Sequence, residues 1–478
     1  MKRATQRSCG KLAATVVALA VLSGCASVNF DQAVAKTNDE ATAFTSGKLA
    51  LVQTDQQRKA FDRSAADLLK QPLSQGDAVQ LALVNSPALQ AMLAENWASS
   101  ASAAQSGRIA NPLFTFERLR IGDELEIGRL LSFGLLDLLT LPQRAGIAQR
   151  RIAQGQLRLT SEVIDQVTQV RQAWVKAVAA QQMLSYAKQV FDSAEASAEL
   201  ARRMQAAGNF NKLARARQQV FYTDSASQLA GAQHTATSAR EELVRLLGLN
   251  DAQAAQLKLA ERLPDLPKAP RDPAEVSQLA STSRLDIRIA QSNYETAAKA
   301  QGLNTLTTFT DIELGVRRNT KFDDAAGTQR TGRGFEIGIR LPIFDWGGNQ
   351  RDAMNAQTLA AANRLEASVR AAGSSLREGY SAYRTAYDLA RHYRDEVIPL
   401  RKTISEENVL RYNGMLIGVF EFLADSRAEV ASVIAAIAAE QQFWLADAAL
   451  QASVMGKPTM TSSPAAMSGG SGGGDAAH

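Results

Sequence analysis

Two kinds of hydrophobic pattern divide this chain, and each occurs twice. In residues 334–341, Phe335, Ile337, Ile339 and Leu341 fall on one face and Gly334, Glu336, Gly338 and Arg340 on the other. Just before them, Thr310, Ile312, Leu314 and Val316 alternate with Asp311, Glu313, Gly315 and Arg317. Strict period two predicts strands with one apolar and one polar face, at about 307–317 and 333–343. A less regular pair is predicted at about 112–121 and 125–139. Each pair runs into a helical pattern too long for an ordinary globular domain. From 144 to 207 only Gly146 and Gly155 interrupt it, so its 64 residues would reach roughly 96 Å at about 1.5 Å per residue. Val163, Val167, Val170, Trp174, Ala177, Gln181 and Leu184 follow the 4-3 spacing of a coiled-coil seam. Residues 349–413 repeat the pattern, with Leu376, Tyr380, Tyr383 and Tyr387 on one stripe. Helices 212–247 and 419–455 complete the two long pairs.

The recurrence is an internal repeat. Residues 86–89 correspond to 283–286 at an offset of 197, whereas Arg144 to Gln350 and Gly208 to Gly414 are offset by 206. A single insertion in a polar loop at 317–334 accounts for the slip of nine, since hairpin tips tolerate insertions. Leu141-Pro142 and Leu341-Pro342 mark corners where strand gives way to helix. The domains are then repeat 1 at 74–255, a proline-rich extended linker at 256–273 and repeat 2 at 274–457. A polar N-terminal segment at 25–73 precedes them, and a Gly/Ser-rich tail at 458–478 follows.

The amino terminus sets the compartment. Lys2, Arg3, Arg7 and Lys11 flank an apolar run at 12–22 that ends in Ser23-Gly24-Cys25. This is a secretory signal, too short to span a bilayer as a helix. Residues 1–24 hold four basic and no acidic residues, so their removal takes the formal charge from +5 to +1 and withdraws any inference of nucleic-acid binding. Cys9 leaves with the signal. That leaves Cys25 as the mature chain's one cysteine, with neither a disulfide nor a cysteine-based metal site.

No mature segment is apolar for long enough to cross a membrane as a helix, while strands of about ten alternating residues suit an outer-membrane barrel. A half-buried soluble sheet has the same alternation. Four strands cannot close a transmembrane barrel, and open edges in hydrocarbon leave backbone groups unsatisfied. Membrane strands therefore predict an oligomer. Ala177, Ala179 and Ala180, with Ala435, Ala436, Ala438 and Ala439, flank the seams and let each helix pack on both sides, the condition for a ring of helices around a tunnel. The alternative is a non-conducting coiled-coil spacer across the envelope.

An enzyme has little to recommend it. The three histidines, His234, His392 and His478, lie in two helical stretches and the tail, and no phosphate-binding loop or paired ligand spacing occurs. No catalytic, cofactor-binding or metal residue is assigned.

Three local patterns carry a resemblance. Leu22-Ser23-Gly24-Cys25 resembles the bacterial lipobox; Arg411-Tyr412-Asn413-Gly414 precedes Val419-Phe420-Glu421-Phe422-Leu423-Ala424-Asp425-Ser426-Arg427; and residues 341–348 read Leu-Pro-Ile-Phe-Asp-Trp-Gly-Gly. With the duplicated layout, these resemble the TolC-type outer-membrane efflux proteins, in particular lipidated members that work with resistance-nodulation-division pumps. The resemblance implies a mainly α chain with a transmembrane β part: a two-repeat TolC-like fold forming a homotrimer, with a twelve-stranded β-barrel continuous with a twelve-helix periplasmic α-barrel. It implies a covalent lipid on Cys25 and, with no aspartate after it, the outer membrane. It implies a periplasmic adaptor and an inner-membrane pump as partners, and a passive duct for small toxic compounds or metal cations. A type I protein-secretion duct of the same fold is the alternative.

Here the spacing from Gly414 to the Leu-Asp stretch is one residue longer than in the family, and Ala424-Asp425 reverses the family order. By position, Glu421 and Asp425 are candidates for an acidic ring at the periplasmic aperture; a solvated helix face is the other reading. Gly208 with Asn209, and Gly414 with Tyr412, are candidates for the periplasmic tip turns, the glycines supplying backbone freedom at the helix ends.

Overall fold

Short polar residues ahead of helical patterns start several helices of this chain. Thr54, Ser74 and Asn250 each form a capping box with the residue three positions on, and Asn211 and Asp272 accept backbone N–H bonds as N-caps. The computed structural model describes residues 29–45, 47–307, 312–341 and 343–458. The predicted leader at 1–24, Cys25, Thr310, Asp311, Pro342 and residues 459–478 lie outside the described residues.

The elements run α1 (Phe30–Thr45), α2 (Asp55–Leu68), α3 (Gln75–Asn85), α4 (Pro87–Ser106), β1 (Leu113–Ile121), β2 (Glu124–Gly134), α5 (Leu135–Ala206), α6 (Lys212–Leu247), α7 (Asp251–Gln256) and α8 (Pro273–Ser283). They continue with α9 (Leu285–Thr307), β3 (Ile312–Asp323), β4 (Thr328–Ile339), α10 (Gly348–His392), a π turn (Tyr393–Val397), α11 (Ile398–Asn413) and α12 (Val419–Val454). The strands form one antiparallel sheet in the order β1-β2-β3-β4.

The chain divides into two units. The first gathers the residues up to Glu40 with Gln90–Ser161 and Leu285–Ala371, and holds the sheet. Its helices approach closely where Gly107 lies against α5: a Cβ there would stand 2.7 Å from Ala148 Cβ. Asn96 Nδ2 donates to Gly155 O at 2.9 Å, and Phe30 stacks on Trp97 at 5.6 Å. Arg150 pairs with Glu295, and Arg288 with Glu40 at 3.1 Å.

The second unit gathers Ala41–Leu89, Glu162–Arg284 and the chain from Ala372 onward. The seam residues Val163, Val167, Val170, Trp174 and Ala177 are all buried, whereas Gln181 is exposed. Trp174 Nε1 donates to Leu73 O at 2.9 Å, where Leu73 makes a parallel bridge to Leu259. The tyrosine stripe of α10 packs on Ala439, Phe443, Ala446 and Leu450 of α12, the helical neighbour its spacing suggests, and has a second partner as well. It holds the proline-rich linker. Tyr380 Oη donates to Arg271 O at 3.0 Å, Tyr387 Oη to Pro267 O at 3.1 Å, and Tyr383 Oη accepts from Arg271 N at 3.1 Å. Trp444 Nε1 donates to Pro264 O at 3.1 Å, and beneath these bonds Tyr383, Tyr387 and Phe443 form a buried aromatic core. A linker that makes no helix keeps its carbonyls free, and these hydroxyls and the indole satisfy them. Arg271 also pairs with Asp447 at 3.0 Å, which outweighs burial and holds its pKa above the usual value.

Several boundaries differ from the sequence reading. Strand β2 ends at Gly134, not 139, and helix begins at Leu135, so Pro142 sits inside α5 rather than at its corner. The segment Leu135–Leu141 is leucine-rich, and leucine is a strong helix former. Asp137 pairs with Arg144 two turns on, at 2.5 Å, bracketing the proline. Strands β3 and β4 extend to Asp323 and start at Thr328, so the polar stretch 318–333 is mostly paired strand, with a turn of only 324–327. Ile121, Glu124, Asp323 and Thr328 close the two hairpins in one row. The second turn is two residues longer than the first, so the tip holds only part of the nine-residue slip. The pattern at 349–413 is broken by the π turn, where Ile398 N–H bonds to Tyr393 O; this accommodates Pro399, which has no N–H to offer. The N-terminal segment, polar in sequence, forms α1 and α2.

Candidate functional site: a two-faced sheet and two helical tip turns

Cross-strand register decides which side chains share a face of the sheet. One face carries Glu117, Glu126, Glu336, Arg317 and Lys321, and the charges compensate one another: Arg317 lies 3.4 Å from Glu117 and 3.8 Å from Glu336, and Lys321 3.4 Å from Glu126. Gly315 on this face gives room to Leu130, whose Cδ1 would stand 2.7 Å from an added Cβ. The opposite face carries Phe114, Phe116, Val316, Phe335, Ile337 and Ile339, all more than half exposed and Phe335 80% exposed. Exposed apolar surface of this extent marks an interaction with lipid or protein. Strands β1 and β4 form the two edges of the sheet, unpaired among the described residues. No described helix is long and apolar enough to cross a membrane.

The tip turns repeat one geometry. After α5, Gly208 adopts φ +81°, its N–H bonds to Gln205 O and that of Asn209 to Met204 O. After α11, the N–H of Met415 bonds to Tyr412 O and that of Leu416 to Arg411 O. These are two Schellman endings. The left-handed residue of the second is Met415, at φ +58°, while Gly414 sits at φ −79°. The expectation that Gly414 supplies backbone freedom is therefore corrected: the structural counterpart of Gly208 is Met415. The N-caps agree, Asn211 standing three residues after Gly208 and Gly418 three after Met415. The extra residue between Gly414 and the Leu-Asp stretch was the sequence signal of this shift, and it left Met415 unnoticed.

Tyr412 stacks on Phe422 at 5.3 Å, bracing the second turn. Glu421 is exposed, and Asp425, one turn further, is half-buried and accepts from Asn408 Nδ2 at 2.5 Å. The two carboxylates thus share a stripe of α12, with one in solvent and one engaged. Arg427 joins the hairpins: its guanidinium lies 4.5 Å over Phe221, and Nη2 donates to Arg217 O at 3.3 Å. Asn408 was not singled out from sequence and Arg427 only as the last residue of the 419–427 motif; their partners, Asp425 and Arg217, lie 17 and 210 positions away. Among the described residues no group of three or more His, Cys, Asp or Glu could hold a metal ion.

No family model matches this sequence, and no curated protein does. Solved structures do. A membrane protein from Pseudomonas aeruginosa is 19% identical, with a TM-score of 0.65 over 84% of this chain and 94% of its own. The Campylobacter jejuni CmeC outer membrane channel is 13% identical, with a TM-score of 0.67 over 87% of this chain and 91% of its own. The open state of the Neisseria gonorrhoeae MtrE outer membrane channel is 17% identical, with a TM-score of 0.61 over 85% and 91%.

Proposed function

Starting from a chain that has the TolC-type fold of those outer-membrane channels, we propose that it is the outer-membrane duct of an efflux system, a passive exit for small toxic compounds or metal cations. The observation that carries this reading is the four-stranded sheet with one exposed apolar face, one charge-compensated polar face and two terminal strands whose outer edges have no partner among the described residues. In hydrocarbon those edges need partners, and other copies of the chain supply them in kind. Three copies give twelve strands, apolar outward and polar toward a water-filled lumen. The paired charges on the polar face make that lumen permissive rather than selective, so specificity falls to the machinery that loads it. A covalent lipid on Cys25 would secure the chain to the outer membrane before the barrel forms. The two tip turns, with Glu421 and Asp425 behind the second, would meet a periplasmic adaptor that links the duct to an inner-membrane pump.

The test is single-channel recording of the purified full chain in planar bilayers, with native mass spectrometry of the same sample. Discrete conductance from a trimer is the expected result; a trimer that never conducts would leave only an envelope spacer. Palmitate labelling of Cys25→Ser tests the anchor separately, since a variant that still labels contradicts lipidation at that residue.

A further inference from the structure

The apolar face of the sheet changes character partway toward the hairpin tips. Phe114, Leu131, Val316 and Phe335 form one cross-strand row. The next row toward the tips is Phe116, Arg129, Arg318 and Arg333, three arginines directly opposite one another on β2, β3 and β4. Arg118 follows in the row above and Arg120 in the one after it; the strand residues of this face include no acidic group, and at the tip Asp324 pairs with Arg120 at 2.7 Å. The contrast with the polar face is sharp, because there Arg317 and Lys321 have carboxylate partners. The side chains of Arg129, Arg318 and Arg333 are exposed and make no ion pair or hydrogen bond among the described residues.

Like charges directly opposite on neighbouring strands destabilise a sheet. Three together, with Arg118 on the next row toward the tips, are tolerated at least cost when an external anion sits among them. The planar guanidinium fork matches phosphate in particular. Position identifies the source of that anion. On β4 the apolar row below Arg333 runs through Phe335, Ile337 and Ile339, where the strand ends, and the exposed Leu341, Ile343, Phe344 and Trp346 follow; aromatic residues of this kind populate membrane interfaces. The arginine row therefore stands where the hydrocarbon ends on the side of the hairpin tips.

We propose that Arg129, Arg318 and Arg333 form a binding site for the phosphate groups of a phosphorylated glycolipid in the outer leaflet. The site rests on the reading that the sheet spans the outer membrane. In a trimer it repeats three times around the barrel, tying the protein to its surrounding lipid and fixing its height in the bilayer.

The experiment compares bis-phosphorylated lipid A with its dephosphorylated form, each titrated against the detergent-solubilised full chain and counted by native mass spectrometry. The wild type should bind the phosphorylated form at least tenfold more tightly. R129Q/R318Q/R333Q should lose that preference, and R129K/R318K/R333K should keep most of it. A wild type that binds both forms equally, or a preference that survives the triple glutamine variant, overturns the site. Conductance of the same wild-type sample separates the two readings: a conducting channel without lipid preference refutes this site alone, and a non-conducting wild type refutes the duct and the leaflet assignment with it.

Discussion

The tip turns offer a direct test, because sequence and structure assign their left-handed residue differently. Replacing Gly208, at φ +81°, with Ala places a Cβ in a conformation that costs an L-residue about 1–2 kcal/mol. The smaller unfolded-state entropy of Ala returns about 0.4–1 kcal/mol, leaving a net loss near 1 kcal/mol. Nothing lies within 4 Å of the added Cβ, so no packing effect obscures the balance. Met415→Gly reverses the argument. Met415 is 92% exposed, so its removal loses little burial, and relief of the φ +58° strain less the entropy of Gly leaves a gain of roughly 0.5–1 kcal/mol. Gly414→Ala is the control, at φ −79°, where any residue is at ease. Hydrogen exchange of the amides that close the turns, Asn209 to Met204 O and Leu416 to Arg411 O, reports local opening directly. Protection of the first turn should fall about fivefold in Gly208→Ala, and that of the second should rise about two- to fivefold in Met415→Gly, since about 1.4 kcal/mol corresponds to tenfold. If Gly414→Ala loosens the second turn as much as Gly208→Ala loosens the first, the assignment of Met415 is wrong.

Other outcomes can be stated more briefly. Phe443→Ala, in the aromatic core beneath the linker, should cost about 3–5 kcal/mol, and Tyr387→Phe, which strips Pro267 O and Lys268 O of their donor, about 1 kcal/mol; urea unfolding midpoints give both. Gly107→Ala should cost about 1–3 kcal/mol, because the added Cβ meets Ala148 Cβ at 2.7 Å and Ala145 Cα at 3.2 Å, and an unchanged melting temperature would contradict that close approach. Hydrogen bonds from Arg202 and Arg203 hold Glu199 at a pKa of about 2 against an ordinary 4.5. A depressed carboxylate stabilises above its unfolded pKa and loses that contribution as pH falls through its folded one. The pH profile of helix-end protection should therefore decline between about 4.5 and 2 in the wild type and lose this component in Glu199→Gln.

The seam Val163, Val167, Val170, Trp174 and Ala177 was legible because helical periodicity and burial are properties of one segment. The alternation of β3 and β4 was legible for the same reason, since period two survives whatever the partner strand is. The strand ends were not. At Leu135–Leu141 the hydrophobic run is ambiguous between strand and helix; it folds as helix, and the Asp137–Arg144 pair then forms across Pro142. Of the candidate site, Gly208 and the two turns were readable from glycine placement. Met415 was hidden because a left-handed methionine has no compositional mark, and only the hydrogen-bond pattern of the folded turn reveals it.

By itself the sequence determined the period of each segment, the duplication and the linker that cannot be helix. Each of these is a local property of residue order, written in spacing or in the absence of an N–H. Only the tertiary structure decided that the tyrosine stripe closes on the linker's carbonyls, that both hairpins end in one row, and that three arginines from three strands stand side by side. Those arrangements join residues up to about two hundred positions apart, and cross-strand register and side-chain hydrogen bonding select them from the many pairings that the same periodicities allow.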